Sequence, residues 1–368
     1  MKLLTPETLG KIQISNRVVM APLTRMRSDT EGVPSPLASE YYQQRATAGL
    51  IISEATQIAP IGKGYPGTPG IHSPEQVAAW KKVTQAVHDQ HGKIVLQLWH
   101  VGRISHTSHH PVEGLPVAPS AIKPSGKVYT ASWQLEDYET PRALESNEIS
   151  GLIQSFVHAA KMAKDAGFDG VEVHAANGYL LDQFLQDGSN QRSDIYGGSI
   201  ENRCRLLIEV LNAVNQVWDS ECVGVRISPY GTFNDMSDSD PVALFTYLIG
   251  QLNTLNLSYL HMIEPRSTSA GGSDEVHTDA PSTAKLFRSL FTGKVIMAGG
   301  YSRELAEEAV VNGSADAVAF GRIYIANPDL VKRFEVNAPL TRYNRETFYG
   351  GAEVGYTDYP FLVSDALK

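Results

Sequence analysis

Two cysteines in 368 residues, Cys204 and Cys222, are too few and too isolated for a disulfide framework or a Cys-ligated zinc or iron–sulfur centre. No apolar run approaches the ~20 residues of a membrane span. The opening MKLLTPETLGKI lacks the long apolar stretch of a secretory signal. Basic residues are scattered and outnumbered, and the formal net charge of −9 argues against a nucleic-acid partner. Acidic residues are interspersed as well, so no solvated acidic tail is expected. A Walker loop and a G-x-S-x-G elbow are both missing. These absences leave a reduced, cytoplasmic protein for which no membrane or nucleic-acid partner is expected; the sequence does not choose between a monomer and a homodimer.

Hydrophobic residues, at 42%, are enough for a sizeable core. Short apolar runs bounded by turn residues alternate with helix-period stretches along nearly the whole chain. The runs are 18–23, 50–56, 94–99, 168–174, 222–228, 258–263, 294–298 and 315–321. Helical stretches include 74–91, 148–166, 200–218, 241–255 and 302–312, some opened by a Ser cap such as Ser73 or Ser302. Eight strand–helix units in this length predict a single (β/α)8 TIM barrel, with residues 1–368 as one domain. An open doubly wound sheet is the competing arrangement, but no break separates the units into two halves. Two connections exceed what a barrel needs: 100–146 after strand 3, and 264–279, containing STSAGGS, after strand 6. Both follow C-terminal strand ends, where barrels keep their active sites, and are expected as structureless lids.

Gly62 to Gly67 matches G-x-G-x-x-G, yet Pro66 and Pro69 follow and the next helix starts only at Pro74, so the glycines cannot open a dinucleotide-binding helix. His106, His109 and His110 have no carboxylate or cysteine at ligand spacing, and no metal is expected. The chemistry lies at the strand ends instead. Strand 4 ends in VEVHAANGYLLDQF, which delivers His174, Asn177 and Tyr179, three donors without lasting charge suited to holding an oxygen atom. Gly299-Gly300 and Gly321-Arg322 end strands 7 and 8, where barrels commonly bind phosphate. Arg226 ends strand 5 and needs an anion or a ring that becomes anionic. Gln97 offers a donor and an acceptor for an edge of alternating N–H and C=O groups. Phosphate, edge and ring together describe flavin mononucleotide.

The sequence also resembles the old yellow enzyme family, in its bacterial branch, along essentially its whole length. The motifs are NRVVMAPLTRMRS, EYYQQRATAGLIISEAT, PGIHSPEQVAAWKKVTQAVH, LQLWHVGRISH, VEVHAANGYLLDQF, QRSDIYGGSIENRCRLLIEV, VGVRISPYGTF, AVAFGRIYIANPDL and FYGGAEVGYTDYP. The resemblance implies a non-covalent FMN, reduced by NADPH or NADH and reoxidised by an electron-poor alkene. Pro22, Leu23, Thr24, Ala55, Gln97, His174 and Arg226 would then contact the flavin ring system. Ala298, Gly299, Gly300, Phe320, Gly321 and Arg322 would surround its phosphate. His174 and Asn177 would clamp the substrate carbonyl, with His174 as the titrating partner, and Tyr179 would protonate the α-carbon. Tyr65, Trp99, Tyr349 and the region of Tyr356 would line or approach the substrate channel. YGGSIENR, 196–203, is distinctive of the family but reads as structural: a glycine turn into a helix capped by Ser199. The loop 266–273 has no aromatic residue, which leaves substrate size open. The expected activity is an ene-reductase for α,β-unsaturated carbonyls and maleimides, with nitro compounds or nitrate esters as further candidates. A non-flavin barrel lyase or aldolase and a non-catalytic flavin carrier are the rival readings; neither a Schiff-base lysine nor a metal-binding carboxylate set appears at the strand ends.

Overall fold

Runs rich in Val, Ile and Leu, each flanked by turn residues, form eight short strands that close into a parallel barrel in the computed structural model, which describes residues 1–110, 112, 114–267, 274–277 and 279–362. The strands are β1 (Val18–Met20), β2 (Leu50–Ile52), β3 (Ile94–Trp99), β4 (Gly170–Ala175), β5 (Val223–Ile227), β6 (Tyr259–Ile263), β7 (Val295–Ala298) and β8 (Ala317–Phe320). Each pairs in parallel with the next, and β8 pairs with β1 to close the ring. Helices α1 (Leu37–Gln43), α2 (Pro74–His88), α3 (Ile149–Asp165), α4 (Ile200–Asn215), α5 (Pro241–Leu252), α6 (Thr283–Phe287), α7 (Arg303–Val311) and α8 (Leu330–Val336) alternate with the strands. The (β/α)8 expectation holds.

The caps explain where helices start. Ser73 accepts from the Gln76 N–H in a capping box with Pro74 at the first turn, and Ser199, Asp240, Ser282 and Ser302 cap α4 to α7. Their ends fall short of the apolar pattern. The α2 helix stops at His88, not 91, and His91 has φ +60, outside any helix. No described helix is long and apolar enough to cross a membrane.

Strand alternation separates two cores. Val171, Val173 and Ala175 of β4 join the large cluster under the helices, whereas Val19, Leu50, Ile52, Val95 and Ile296 fill the barrel interior. The floor is closed by a hairpin, Glu7–Leu9 with Ile12–Ile14, whose Leu9, Ile12 and Ile14 pack into that interior cluster. Above the floor the buried residues at alternate positions become polar: Gln97, Glu172, His174, Arg226 and His261. Gly224 is required here, since a Cβ would run into the Tyr259 ring, itself fully buried in the interior cluster.

The long connection after β3 is not structureless. It carries a hairpin, Lys127–Tyr129 with Leu135–Asp137, and a parallel pair, Val117–Ala118 with Arg142–Ala143. Strands of two or three residues are too short to leave a period in the sequence, which is why the expectation missed them. In the connection after β6, residues 268–273 and 278 lie outside the described residues, and with them most of STSAGGS.

Candidate active site

The C-terminal strand ends open into one cavity of about 360 Å³. Pro22, Leu23 and Thr24 reach it after β1, Ala55 after β2, and Gln97 and Trp99 from β3. His174 reaches it from β4, Asn177 and Tyr179 from the turn that follows, and Arg226 from β5. Ala298, Gly299 and Gly300 arrive with β7, and Phe320, Gly321 and Arg322 with β8. Tyr65 and Tyr349 complete the wall from loops. All the expected site residues except Tyr356 thus line a single cavity.

The polar layer beneath it is connected. Glu172 accepts a hydrogen bond from Gln97 Nε2 at 2.7 Å and another from His261 Nδ1 at 2.9 Å. Arg226 stands in register with His174 on one side and His261 on the other. Burial works against the Glu172 charge, but His261, Arg226 and Gln97 outweigh it and hold the carboxyl below its usual range. Burial, opposed only in part by Glu172, keeps His261 neutral. The Glu172–His261 pair was not expected: its members lie 89 positions apart on separate strands, and only the inward position of His261 in its run could have hinted at it.

His174 is buried, and its Nδ1 has no hydrogen-bond partner among the described residues. Burial first, then the neighbouring Arg226 charge and His261, hold its pKa well below the ordinary histidine value. This corrects the expectation of a titrating His174; it is a neutral imidazole near neutral pH. Asn177 has φ +57 in a turn held by three contacts. Its N–H donates to Ser228 Oγ at 2.8 Å, its carbonyl accepts from Asn234 Nδ2 at 2.8 Å, and the Gly178 N–H donates to Asp182 Oδ2 at 2.8 Å. Gly178 (φ +74) is needed, because a Cβ would lie 2.6 Å from the Phe233 carbonyl oxygen. Tyr179 OH is 3.4 Å from Tyr65 OH, and its ring meets Trp99 edge-on at 5.0 Å while Tyr65 stacks on Trp99. Burial pushes the Tyr179 phenol well above its usual pKa, so it stays protonated.

An FMN fits these residues. Arg226 Nε is buried without a partner among the described residues, an arrangement that is costly unless a ligand accepts from it. At the other end Gly299 and Gly300 have φ +103 and +66, and a Cβ on Gly299 would lie 2.7 Å from the Glu264 carbonyl oxygen. Such a glycine corner leaves backbone N–H groups open to a phosphate. Arg322 lies beside it and donates to Asp274 at 2.8 Å.

Other expectations need revision. Tyr356 does not approach the channel. It is buried, stacked on Tyr41 at 4.1 Å and flanked by the guanidinium groups of Arg25 and Arg27. Those arginines donate to backbone carbonyls of residues 347, 348, 352, 354 and 355, fixing the C-terminal segment that carries Tyr349. The glycines of the 62–67 stretch serve packing: a Cβ on Gly62 would touch His100 at 3.4 Å, and one on Gly64 would run into the Ile104 carbonyl. Ser199 caps α4 as expected. Met26, Tyr129, Phe233, Tyr301 and Phe348 also line the cavity and were missed. Tyr301, directly after Gly299-Gly300, and Phe348, directly before Tyr349, had neighbours that could have flagged them.

A sequence model of the NADH:flavin oxidoreductase / NADH oxidase family matches residues 2–341. Morphinone reductase superposes with a TM-score of 0.93 at 48% identity, over 99% of this chain and 97% of that one. An old yellow enzyme homologue from Zymomonas mobilis gives 0.93 at 43%, over 98% and 100%. The 12-oxophytodienoate reductase 1 of Oryza sativa subsp. japonica is 49% identical, over 98% of this chain and 93% of its own. The chain belongs to the old yellow enzyme family. As a member it is a flavin oxidoreductase with non-covalent FMN and a nicotinamide hydride donor. The non-flavin lyase and the non-catalytic flavin carrier are thereby set aside.

Proposed function

We propose that this old yellow enzyme is an ene-reductase acting on alkenes conjugated to a carbonyl or imide group. The observation that carries the reading is three uncharged donors, His174, Asn177 and Tyr179, lining the same cavity as residues that fit FMN, with Arg226 in register beside His174. Bound FMN supplies the two-electron chemistry, relaying hydride from NADPH or NADH to the alkene.

The chain's own part is to hold both partners and to place charge and proton. Gln97 and Arg226 would bind the polar edge of the ring, and Pro22, Leu23, Thr24 and Ala55 would pack along it. Gly300, Gly321 and Arg322, with the adjoining backbone of Ala298, Gly299 and Phe320, would hold the phosphate. His174, neutral, and Asn177 would each donate a hydrogen bond to the substrate oxygen. Negative charge grows on that oxygen as the β-carbon accepts hydride, so both donors bind the transition state more tightly than the ground state. Tyr179 would give its proton to the α-carbon. Tyr65 and Trp99 present flat apolar faces to a planar ligand, with Tyr349 at the mouth.

The test is product analysis under anaerobic turnover with NADPH and, separately, NADH, against 2-cyclohexenone, N-methylmaleimide and a nitroalkene. Saturated products are expected. A flavin that both nicotinamides reduce, but that no activated alkene reoxidises, would overturn the reading.

A further inference from the structure

We propose that the hairpin after β3 and the C-terminal segment form an apolar rim outside the cavity that binds a neutral hydrocarbon extension of the substrate. The proposal rests on the ene-reductase reading and names the substrate class more closely: an activated alkene bearing an uncharged alkyl or aryl substituent.

Tyr129 and Tyr349 both line the cavity, yet they are 43% and 48% exposed, so they straddle its mouth. Trp133 and Leu135, 44% and 51% exposed, continue the apolar surface outward. Tyr129 and Leu135 are directly opposed across the hairpin, and the Tyr129 and Trp133 rings lie 6.4 Å apart. Trp133 has φ +63, a conformation bulky residues rarely adopt. The turn holds it there: the Trp133 N–H donates to the Thr130 carbonyl at 2.9 Å, and the Gln134 N–H to Thr130 Oγ1 at 3.2 Å. The result sets the indole against the C-terminal segment, where a Cβ on Gly350 would lie 2.9 Å from the ring. Two segments far apart in sequence thus meet around one opening, each with aromatic rings half in water.

Charge and size decide the occupant. The next pair on the same hairpin face, Lys127 and Asp137, carries opposite charges 3.8 Å apart, so the rim favours neither anions nor cations. An anionic bilayer suits neither that neutrality nor a net charge of −9. Half of the ~150–250 Å² of an aromatic side chain, over Tyr129, Trp133 and Tyr349, with the exposed half of Leu135 added, gives roughly 300–400 Å². A stable contact with a second copy needs about 800 Å² per partner. The area suits a chain of several methylenes or one aryl ring continuing out of the cavity.

The experiment uses the FMN-loaded enzyme. N-alkylsuccinimides from methyl to hexyl, which cannot be reduced, are titrated by their effect on the flavin spectrum, and the matching N-alkylmaleimides are turned over with NADPH. Full burial of a methylene is worth roughly fourfold in affinity, and half-burial on an open rim about twofold, so methyl to hexyl should gain roughly 30-fold in the parent. In the double variant Trp133→Ser, Leu135→Ser the series should flatten, with the N-methyl compounds unchanged within about twofold. A flat series in the parent, or an equal slope in both proteins, overturns the proposal. A parent that dimerises with concentration through these residues and shows a flat series assigns the rim to a second copy instead. If the succinimide series behaves as expected while no maleimide is reduced, the rim stands and the ene-reductase reading fails.

Discussion

His174 and Arg226 face each other in register across β4 and β5, and each has a buried nitrogen, Nδ1 and Nε, with no partner among the described residues. Groups buried in this way mark where a ligand's polar atoms belong. The pairing also sets protonation. Arg226 keeps its charge, so the imidazole beside it, already disfavoured as a cation by burial, stays neutral. The proposed substrate clamp would therefore work by hydrogen bonding and not by ion pairing.

Arg226→Met should separate cofactor from substrate effects. Losing a charged hydrogen bond costs ~1.5–3 kcal/mol, or roughly 10- to 150-fold in affinity. FMN should therefore dissociate more readily, as measured by fluorescence of the released flavin, and its reduction by NADPH should slow. An FMN affinity equal to the parent's would remove Arg226 from the cofactor site.

The buried histidines predict a loss of stability in acid. His100 has its pKa pushed down to about 3 by burial, with the nearby His110 adding to the effect. An unfolded chain takes up that proton near pH ~6.5. Stability from a neutral His100 is therefore fully present above ~6.5 and lost as pH falls toward about 3, at ~1.4 kcal/mol per pH unit. In urea unfolding between pH 6.5 and 4.5, His100→Asn should show a shallower decline than the parent. Parallel declines in the two proteins would mean that His100 is not the group responsible.

Asp182 supports the turn that presents Asn177, through Gly178 N–H at 2.8 Å and Ser228 Oγ at 3.4 Å. Burial raises its pKa to about 6, against hydrogen bonds from Gln186, Gly178 and Ser228 that lower it. Above that pH the carboxylate accepts all three; below it a proton takes one acceptor position. The enone KM of the parent should rise about fivefold as pH falls from 7 to 5, the worth of one net hydrogen bond. Asp182→Asn should have a raised KM that is flat over the same range. A pH-dependent KM in that variant would point to another group.

Much of this architecture was legible because a parallel barrel exposes its logic in one dimension. The glycine and arginine endings of β7 and β8, and the His–Asn–Tyr ending of β4, declare themselves by interrupting apolar runs. Glu172 interrupts β4 just as plainly, but its partner His261 comes from β6, and nothing in one dimension joins them. Tyr356 misled for the opposite reason. It sits beside cavity residues in sequence, yet Arg25 and Arg27 bind the intervening carbonyls and turn its ring into the core.

Tyr179→Phe keeps the ring contact with Trp99 but removes the acid. NADPH should reduce the flavin at the parent rate. Reoxidation by 2-cyclohexenone should slow by the ~10²–10⁴ that a positioned general acid contributes. A nitroalkene forms a nitronate stable enough to leave unprotonated, so its reaction should be much less affected. Equal slowing with both oxidants would assign Tyr179 to binding.

The proposed clamp, in which His174 and Asn177 bind and polarise the substrate oxygen, is put to the test by anaerobic stopped-flow reoxidation with 2-cyclohexenone. With NADPH-reduced protein, the parent should recover its flavin absorbance with a rate that saturates in enone. His174→Ala should retain FMN and accept hydride normally, yet lose ~10²–10³ in the reoxidation rate, as when one oxyanion donor is removed. A variant that saturates with the same affinity and rate as the parent would contradict the clamp.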